Sequence, residues 1–352
     1  MSAVETARVH GNEDRNLVEC DVAIVGAGPV GLFAIFECGM LKMTTCVIDA
    51  LDSVGGQCAA LYPDKPIYDI PGFPRVNGQD LVDRLAEQAA PFHPNYRLRQ
   101  RVETAERHEE GWRLTTSAGT RVEAKAVVIA GGAGAFGPNR PPLEGIEAYE
   151  GESVFYYVNK PERFRDKTLV IAGGGDSALD WTLALAEIAA KIYVIHRRPK
   201  FRGAPDSVAK LHRLADAPDG KVELVIPYQL DSLEGADGRL EAVVVRNFEG
   251  GSQRLEADAL LPFFGLSMDL GPIAEWGLNL DKHHIEVDPT TCATSLDGIH
   301  AIGDIATYPN KLKLIATGFS EAAMAAHAIY PRIFPDTQLH WEYSTTKGLP
   351  GS

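Results

Sequence analysis

Two periods of hydrophobicity follow one another along this chain, and the succession occurs twice. From Cys20 to Asp49, CDVAIVGAGPVGLFAIFECGMLKMTTCVID holds an apolar run (Ala23 to Val25), a glycine turn, apolar residues at helical spacing and a second apolar run. From Lys167 to His196, KTLVIAGGGDSALDWTLALAEIAAKIYVIH repeats that order, with Leu169 to Ala172 as its first apolar run. Short unbroken apolar runs bounded by glycine predict buried strands, and the 3.6-residue period between them predicts a helix. Each segment is therefore a predicted βαβ unit. Two more apolar runs end in glycine, VVIAGGAGAF (Val127 to Phe136) and GIHAIGDIA (Gly298 to Ala306), and helical periodicity returns from about Thr317 to Tyr330. The stretch RLEAVVVRNFEGGSQRLEADALL reads as hairpins.

The glycines sit where a dinucleotide needs them. GxGxxG falls on Gly26, Gly28 and Gly31, and GxGxxA on Gly173, Gly175 and Ala178. The first position allows a tight turn, the second a close approach of backbone to pyrophosphate, and the third the packing of helix on strand. The helix that follows points unpaired N–H groups and its positive end at the phosphates, in the second copy from Asp176 and Ser177. The predicted fold class is α/β, with two Rossmann-like three-layer dinucleotide-binding domains. At the same distance beyond the first glycine, where the adenosine ribose belongs, the two copies differ. The first has Asp49, whose carboxylate accepts ribose hydroxyls and repels a 2′-phosphate, which suits FAD or NAD. In the second, His196, Arg197, Arg198 and Arg202 gather instead. Guanidinium forks pair with a phosphate monoester, so this site is predicted to take NADP(H).

Composition narrows the partners. The 352 residues hold 34 Lys and Arg against 48 Asp and Glu, a formal net charge of −14, which argues against nucleic acid. A chain of this length suits about two domains. No apolar run approaches the roughly 18 residues of a membrane span, and the polar opening has neither the basic start nor the apolar stretch of a leader. Residues 1–17 are expected to be flexible and the protein cytoplasmic, without a membrane partner. The five cysteines (Cys20, Cys38, Cys46, Cys58, Cys292) include no CxxC and suit reduced thiols. No metal site is expected.

The motifs GAGPVGLF, GGQCAALYPDKPIYDIPGFP, GGGDSALDW, IHRRPKFR, LIATGFSEA and the tail YSTTKG resemble, across nearly the whole chain, the thioredoxin-reductase-like ferredoxin:NADP⁺ reductases of bacteria, two-dinucleotide flavoproteins. The resemblance implies FAD at the first site and NADP(H) at the second, hydride passing to the flavin and single electrons passing on to ferredoxin, a small acidic iron–sulfur protein. It implies an FAD-binding domain over 18–149 and 265–333, interrupted by an NADP(H)-binding domain over 150–264. By the same resemblance Asp49 binds the adenosine ribose, Gln57 lines the FAD groove, Tyr62 stacks on one face of the isoalloxazine and Asp304 binds the ribityl chain. Val102 and Phe136 would contact the cofactor through backbone or packing. The extension 334–352 would cross to the partner subunit of a homodimer, laying Tyr343 on the other flavin face with Thr345 close by. No side-chain acid or nucleophile is demanded, because a flavin carries the chemistry.

Thioredoxin reductases place a CxxC just before the second glycine motif. Here that region, GESVFYYVNKPERFRDK, has no cysteine, and after SVGGQ only Cys58 follows, which excludes a dithiol relay. The acceptor stays open between ferredoxin, implied by resemblance, and quinones, dyes or oxygen. An NADP(H)-sensing binding protein is a further reading. An acidic ferredoxin needs a basic landing area, for which Arg97, Arg99, Arg101 and the segment Arg197 to Arg202 are candidates.

Overall fold

The computed structural model of the chain describes residues 16–134, 137–158, 160–218, 220–267, 269–339 and 348. Phe136, Tyr343, Thr345 and residues 1–15 lie outside them. The described residues form two compact units, one lying within 1–135 and 268–352, the other within 136–267.

In the first unit the opening apolar run is β1 (Leu17–Val25), followed by α1 (Pro29–Met40) and β2 (Thr45–Ile48), which lies parallel to β1. Every residue of β2 is buried, so the run shows no alternation. A short helix α2 (Gly56–Ala60) and an amphipathic α3 (Gly78–Ala89), which buries Leu81, Val82 and Leu85, lead to β3 (Asn95–Arg97) at the parallel edge beside β2. The hairpin β4 (Val102–His108) and β5 (Gly111–Thr116) then feeds β6 (Arg121–Ile129). β6 runs parallel to β1 along its length, while its first residues also pair antiparallel with β5.

The second unit repeats the βαβ plan with β7 (Thr168–Ala172), α4 (Asp176–Leu185) and β8 (Lys191–Ile195), then α5 (Pro205–Ala215) and β9 (Val222–Val225). The predicted hairpins form an antiparallel sheet of β10 (Tyr228–Ala236), β11 (Arg239–Asn247) and β12 (Ser252–Glu256). β13 (Ala259–Pro262) returns to the parallel sheet, whose order is β9-β8-β7-β13. The segment before residue 150 packs with this unit. Leu143 and Ile146 are buried with Val170, Ala172 and Ile195 in this unit's core, and Arg140 pairs with Glu150 at 2.7 Å. Burying side chains of that size contributes roughly 1.5–3 kcal/mol each, so the segment stays with the unit whose core it completes.

The chain re-enters the first unit with β14 (Ile299–Ala301), parallel to Val127–Ile129 of β6, and α6 (Ile315–Ile333), longer at both ends than its periodicity predicts. Ala322, Ala325, Ala326 and Ile329 of α6 share a core with Leu32 and Ile35 of α1.

Candidate functional site

Four parallel strands of the first unit finish level with one another, Val25 beside Ile48 and Ile129, and Ala301 beside Ile129. Their exit loops meet outside the carboxyl ends of the strands, where open α/β sheets bind ligands. Gly26 takes φ +110° and donates its N–H to the Ile48 carbonyl at 2.8 Å, and a Cβ on Gly31 would overlap the Gly26 carbonyl. The protein's own packing demands both. Gly28 differs: its backbone is extended, and a Cβ would meet no atom within 4 Å. Open space therefore faces the first turn of α1. Gly56 borders it, since a Cβ there would stand 3.1 Å from Gly28 Cα.

At the end of β2, Asp49 accepts the Ala27 N–H on Oδ2 at 2.6 Å and the Leu51 N–H on Oδ1 at 2.8 Å. Each oxygen keeps acceptor capacity for a ribose hydroxyl. Burial pushes the Asp49 carboxyl above its usual range, against the pull of the two amides. Gln57 stands in the first turn of α2, its side-chain nitrogen 3.7 Å from where a Cβ on Gly132 would stand. Cys58 donates its S–H to Tyr62 Oη at 3.6 Å. Burial first, then the charge of Asp304, raises the Cys58 thiol, so it is a neutral thiol rather than a reactive thiolate. Burial first, then Cys58 and last the same Asp304 carboxylate raise Tyr62. Asp304, distant in sequence from Cys58 and Tyr62, thus lies in their neighbourhood. Val102 does not offer its side chain to it: the residue is buried beside Trp112 and Leu114 in the core.

One constellation here escaped the sequence reading. Asp304 stands in a turn (Gly303–Ile305) whose first amide, Gly303 N–H, donates to Glu321 Oε2 at 2.7 Å. Glu321 Oε1 accepts the Tyr308 hydroxyl at 2.7 Å and pairs with Lys311. The available signal was a lone acid in the otherwise uncharged helical stretch from Ile315 to Tyr330, on the face shared by Gly318, Ala322 and Ala325.

In the second unit Gly173 donates its N–H to the Ile195 carbonyl at 3.0 Å, and a Cβ there would lie 2.6 Å from the Phe263 carbonyl. Gly175, like Gly28, is extended and open, with Asp176 and Ser177 exposed behind it in the first turn of α4. The loop after β8 folds back onto this turn. Arg202 N–H donates to the Gly174 carbonyl at 2.7 Å, and Ala204 N–H donates to Asp176 Oδ1 at 2.8 Å. Arg197, Arg198 and Arg202 are exposed, and no described carboxylate pairs with them.

His196 is the exception among the gathered cations. Its ring is buried, stacked on Phe201 with centroids 5.1 Å apart, and set so close to Gly174 that a Cβ would strike it. Its Nε2–H meets the Lys200 carbonyl at 3.2 Å. Burial, opposed by that contact and reinforced by the neighbouring arginines, pushes the imidazole below its usual range. The ring props the loop from beneath. A depressed folded value means the unfolded chain binds more protons in the window just below the ordinary histidine range. The stability His196 supplies is therefore present above that range and lost as pH falls through the folded value. Melts of His196→Gln against the parent from about pH 7 to about pH 5 should show a smaller acid-side loss in the variant. Equal slopes would remove His196 from the account.

Both openings have the form of pyrophosphate cradles, one ending at an acid and the other at guanidiniums with no partner carboxylate among the described residues. The pyridine nucleotide-disulphide oxidoreductase family matches residues 20–327. The chain belongs to that family. Within it, the chain is 59% identical over 100% of both lengths to a protein of Granulibacter bethesdensis named ferredoxin–NADP reductase. It is 60% identical to one of the same name from Acidiphilium cryptum, over 95% of this chain and 98% of that one. Among solved structures it resembles thioredoxin reductase of Lactococcus lactis, with a TM-score of 0.77 at 23% identity, covering 90% of this chain and 99% of that one. That likeness gives the fold, the two-domain Rossmann-type plan. A member of this family is an oxidoreductase that uses FAD and a pyridine nucleotide, and the residues present fit both. The open faces at Gly28 and Gly175 leave room for two pyrophosphates.

Proposed function

We propose that this protein is an NADPH-dependent flavoprotein reductase that moves electrons between NADP(H) and ferredoxin. One observation carries the reading. Two βαβ units end the same strand on opposite chemistry, Asp49 with spare acceptor capacity in one and, in the other, exposed Arg197, Arg198 and Arg202 with no partner carboxylate among the described residues. The first excludes a 2′-phosphate and the second attracts one. The names of the full-length relatives support ferredoxin as the electron partner.

A bound FAD supplies hydride acceptance and the release of electrons one at a time. The chain binds and orients. Gly26, Gly28 and Gly31 with α1 hold the FAD pyrophosphate, Asp49 the ribose, Gln57 the groove wall, and Asp304 the ribityl chain. Val102 contributes through backbone or packing, and Tyr62 offers a half-buried ring steadied by the Cys58 thiol. Gly173, Gly175, Asp176 and Ser177 receive the NADP(H) pyrophosphate, and the three arginines its 2′-phosphate. Phe136 is assigned to the flavin side, and Tyr343 and Thr345 to the flavin of the partner subunit in a homodimer. The five cysteines all carry free thiols, in keeping with a reducing cytoplasm. No described helix is long and apolar enough to cross a membrane.

Of the basic residues considered for ferredoxin, Arg99 and Arg101 pair with Asp52 at 3.6 Å and Glu103 at 3.1 Å, which weakens their claim. Arg97 and the Arg197 to Arg202 segment remain as two separate candidates. Purified protein should absorb near about 450 nm, as flavins do, and bleach with NADPH well before NADH. In stopped flow, ferredoxin should reoxidise the reduced protein faster than oxygen or a quinone. A quinone or oxygen outrunning ferredoxin would overturn the acceptor, and equal bleaching by NADH would overturn the nucleotide.

A further inference from the structure

The Glu321 carboxylate is almost wholly inside the protein, its side chain 1% exposed, and its partner Lys311 is 5% exposed. An ion pair so deep loses the hydration of both groups, and well-packed apolar residues in its place are often as stabilising or more so. Stability alone gives no reason for it. Its third contact does. Ile302, just beyond β14, still donates its N–H to the Ile129 carbonyl, but the chain then leaves the sheet through Gly303 at φ +75°. The Gly303 amide is buried with no strand left to receive it, and Glu321 Oε2 accepts it at 2.7 Å. An unbonded buried amide is costly, so the turn would shift to find another acceptor. The turn also abuts α1, because a Cβ on Gly303 would lie 3.5 Å from the Val30 side chain. Tyr308 and Lys311, from the loop that follows, hold the other carboxylate oxygen, so one acid ties the turn, the loop and α6 together.

We propose that Glu321 is a positioning residue for the flavin. Through the Gly303 amide it holds the Gly303–Asp304 turn in its binding geometry before the cofactor arrives, and Lys311 and Tyr308 orient the carboxylate for that task. The inference rests on the reading of this site as a flavin site. It assigns to Glu321 a share of flavin affinity that its contribution to folding does not explain.

Two charge-free double variants of the full chain separate the roles. Glu321→Gln with Lys311→Met keeps an acceptor for the Gly303 N–H, whereas Glu321→Leu with Lys311→Met removes it. Neither leaves a buried unpaired charge. Both should melt within a few degrees of each other. The dissociation constant for FAD, from titration of flavin fluorescence, should stay near the parent's in the first and rise about tenfold or more in the second. Amide exchange read on the peptide containing Gly303 keeps the test open should the leucine variant not fold. In flavin-free parent protein that amide should already be protected. Equal FAD affinity in the two variants, or an unprotected Gly303 amide in the flavin-free parent, would overturn the positioning role while leaving the flavin site intact. Failure of the parent itself to bind FAD would overturn both.

Discussion

Replacing Arg197 and Arg198 together by alanine should raise the KM for NADPH by about a hundredfold, taking each charge-assisted contact to a phosphate as worth about a factor of ten. The KM for NADH should hardly move. The structure supplies the reason for a clean separation: both side chains are exposed and neither pairs with a described carboxylate, so their removal opens no cavity and orphans no buried group. The loop carrying them is held from beneath by other contacts. These are the His196 ring on Phe201, the Lys200 carbonyl on His196 Nε2, and the Arg202 amide on the Gly174 carbonyl. Steady-state kinetics with both nucleotides, alongside melts of parent and variant, reads the outcome. Parallel loss with NADPH and NADH would mean that the arginines support the fold rather than the 2′-phosphate.

Gly28→Val should give a folded protein with almost no bound flavin, its affinity for FAD down by a hundredfold or more on the order of 3 kcal/mol. Valine at most glycines of this fold would be destructive within the protein itself. Gly26 needs a positive φ and Gly31 has no room for a Cβ. At Gly28 the backbone is extended, at φ −70° and ψ 179°, and nothing stands within 4 Å of the added Cβ. The apo chain therefore has room for the added Cβ, while a pyrophosphate approaching the first turn of α1 would meet it. The melting temperature of the flavin-free variant should lie within a few degrees of the flavin-free parent, and the visible absorbance of the purified variant should be absent. A variant that retains flavin would mean that the pyrophosphate lies elsewhere. The same substitution at Gly175 should spare flavin binding and abolish reduction by NADPH, which assigns the two cradles to two different dinucleotides.

The two sites were legible in the sequence to different depths. Gly26, Gly28, Gly31 and Asp49 are read from spacing alone, because strand, turn and helix of a βαβ unit have nearly fixed lengths, and a fixed length places the ribose acceptor. The arginines are read the same way, but His196 is not. It has the position and chemistry of a ligand, and only the packing of Phe201 and Gly174 around it turns the ring inward. Val102 likewise sits at a plausible place in the chain, and its burial beside Trp112 decides that its side chain serves the core. The segment 137–149 carries no marker of which unit it joins until Leu143 and Ile146 are seen against Val170 and Ile195.

By itself, then, the sequence determined the repeated βαβ plan, the two glycine cradles, and the charge contrast that distinguishes one dinucleotide from the other. These are local properties, set by residues a few positions apart along one strand, turn or helix. The tertiary structure alone decided which side chains are free to meet a ligand and which groups far apart in the chain share a carboxylate. Glu321 with Gly303 and Lys311 is the clearest case. No spacing rule relates a helix interior to a turn eighteen residues earlier; burial, which forces every polar group to find a partner, does.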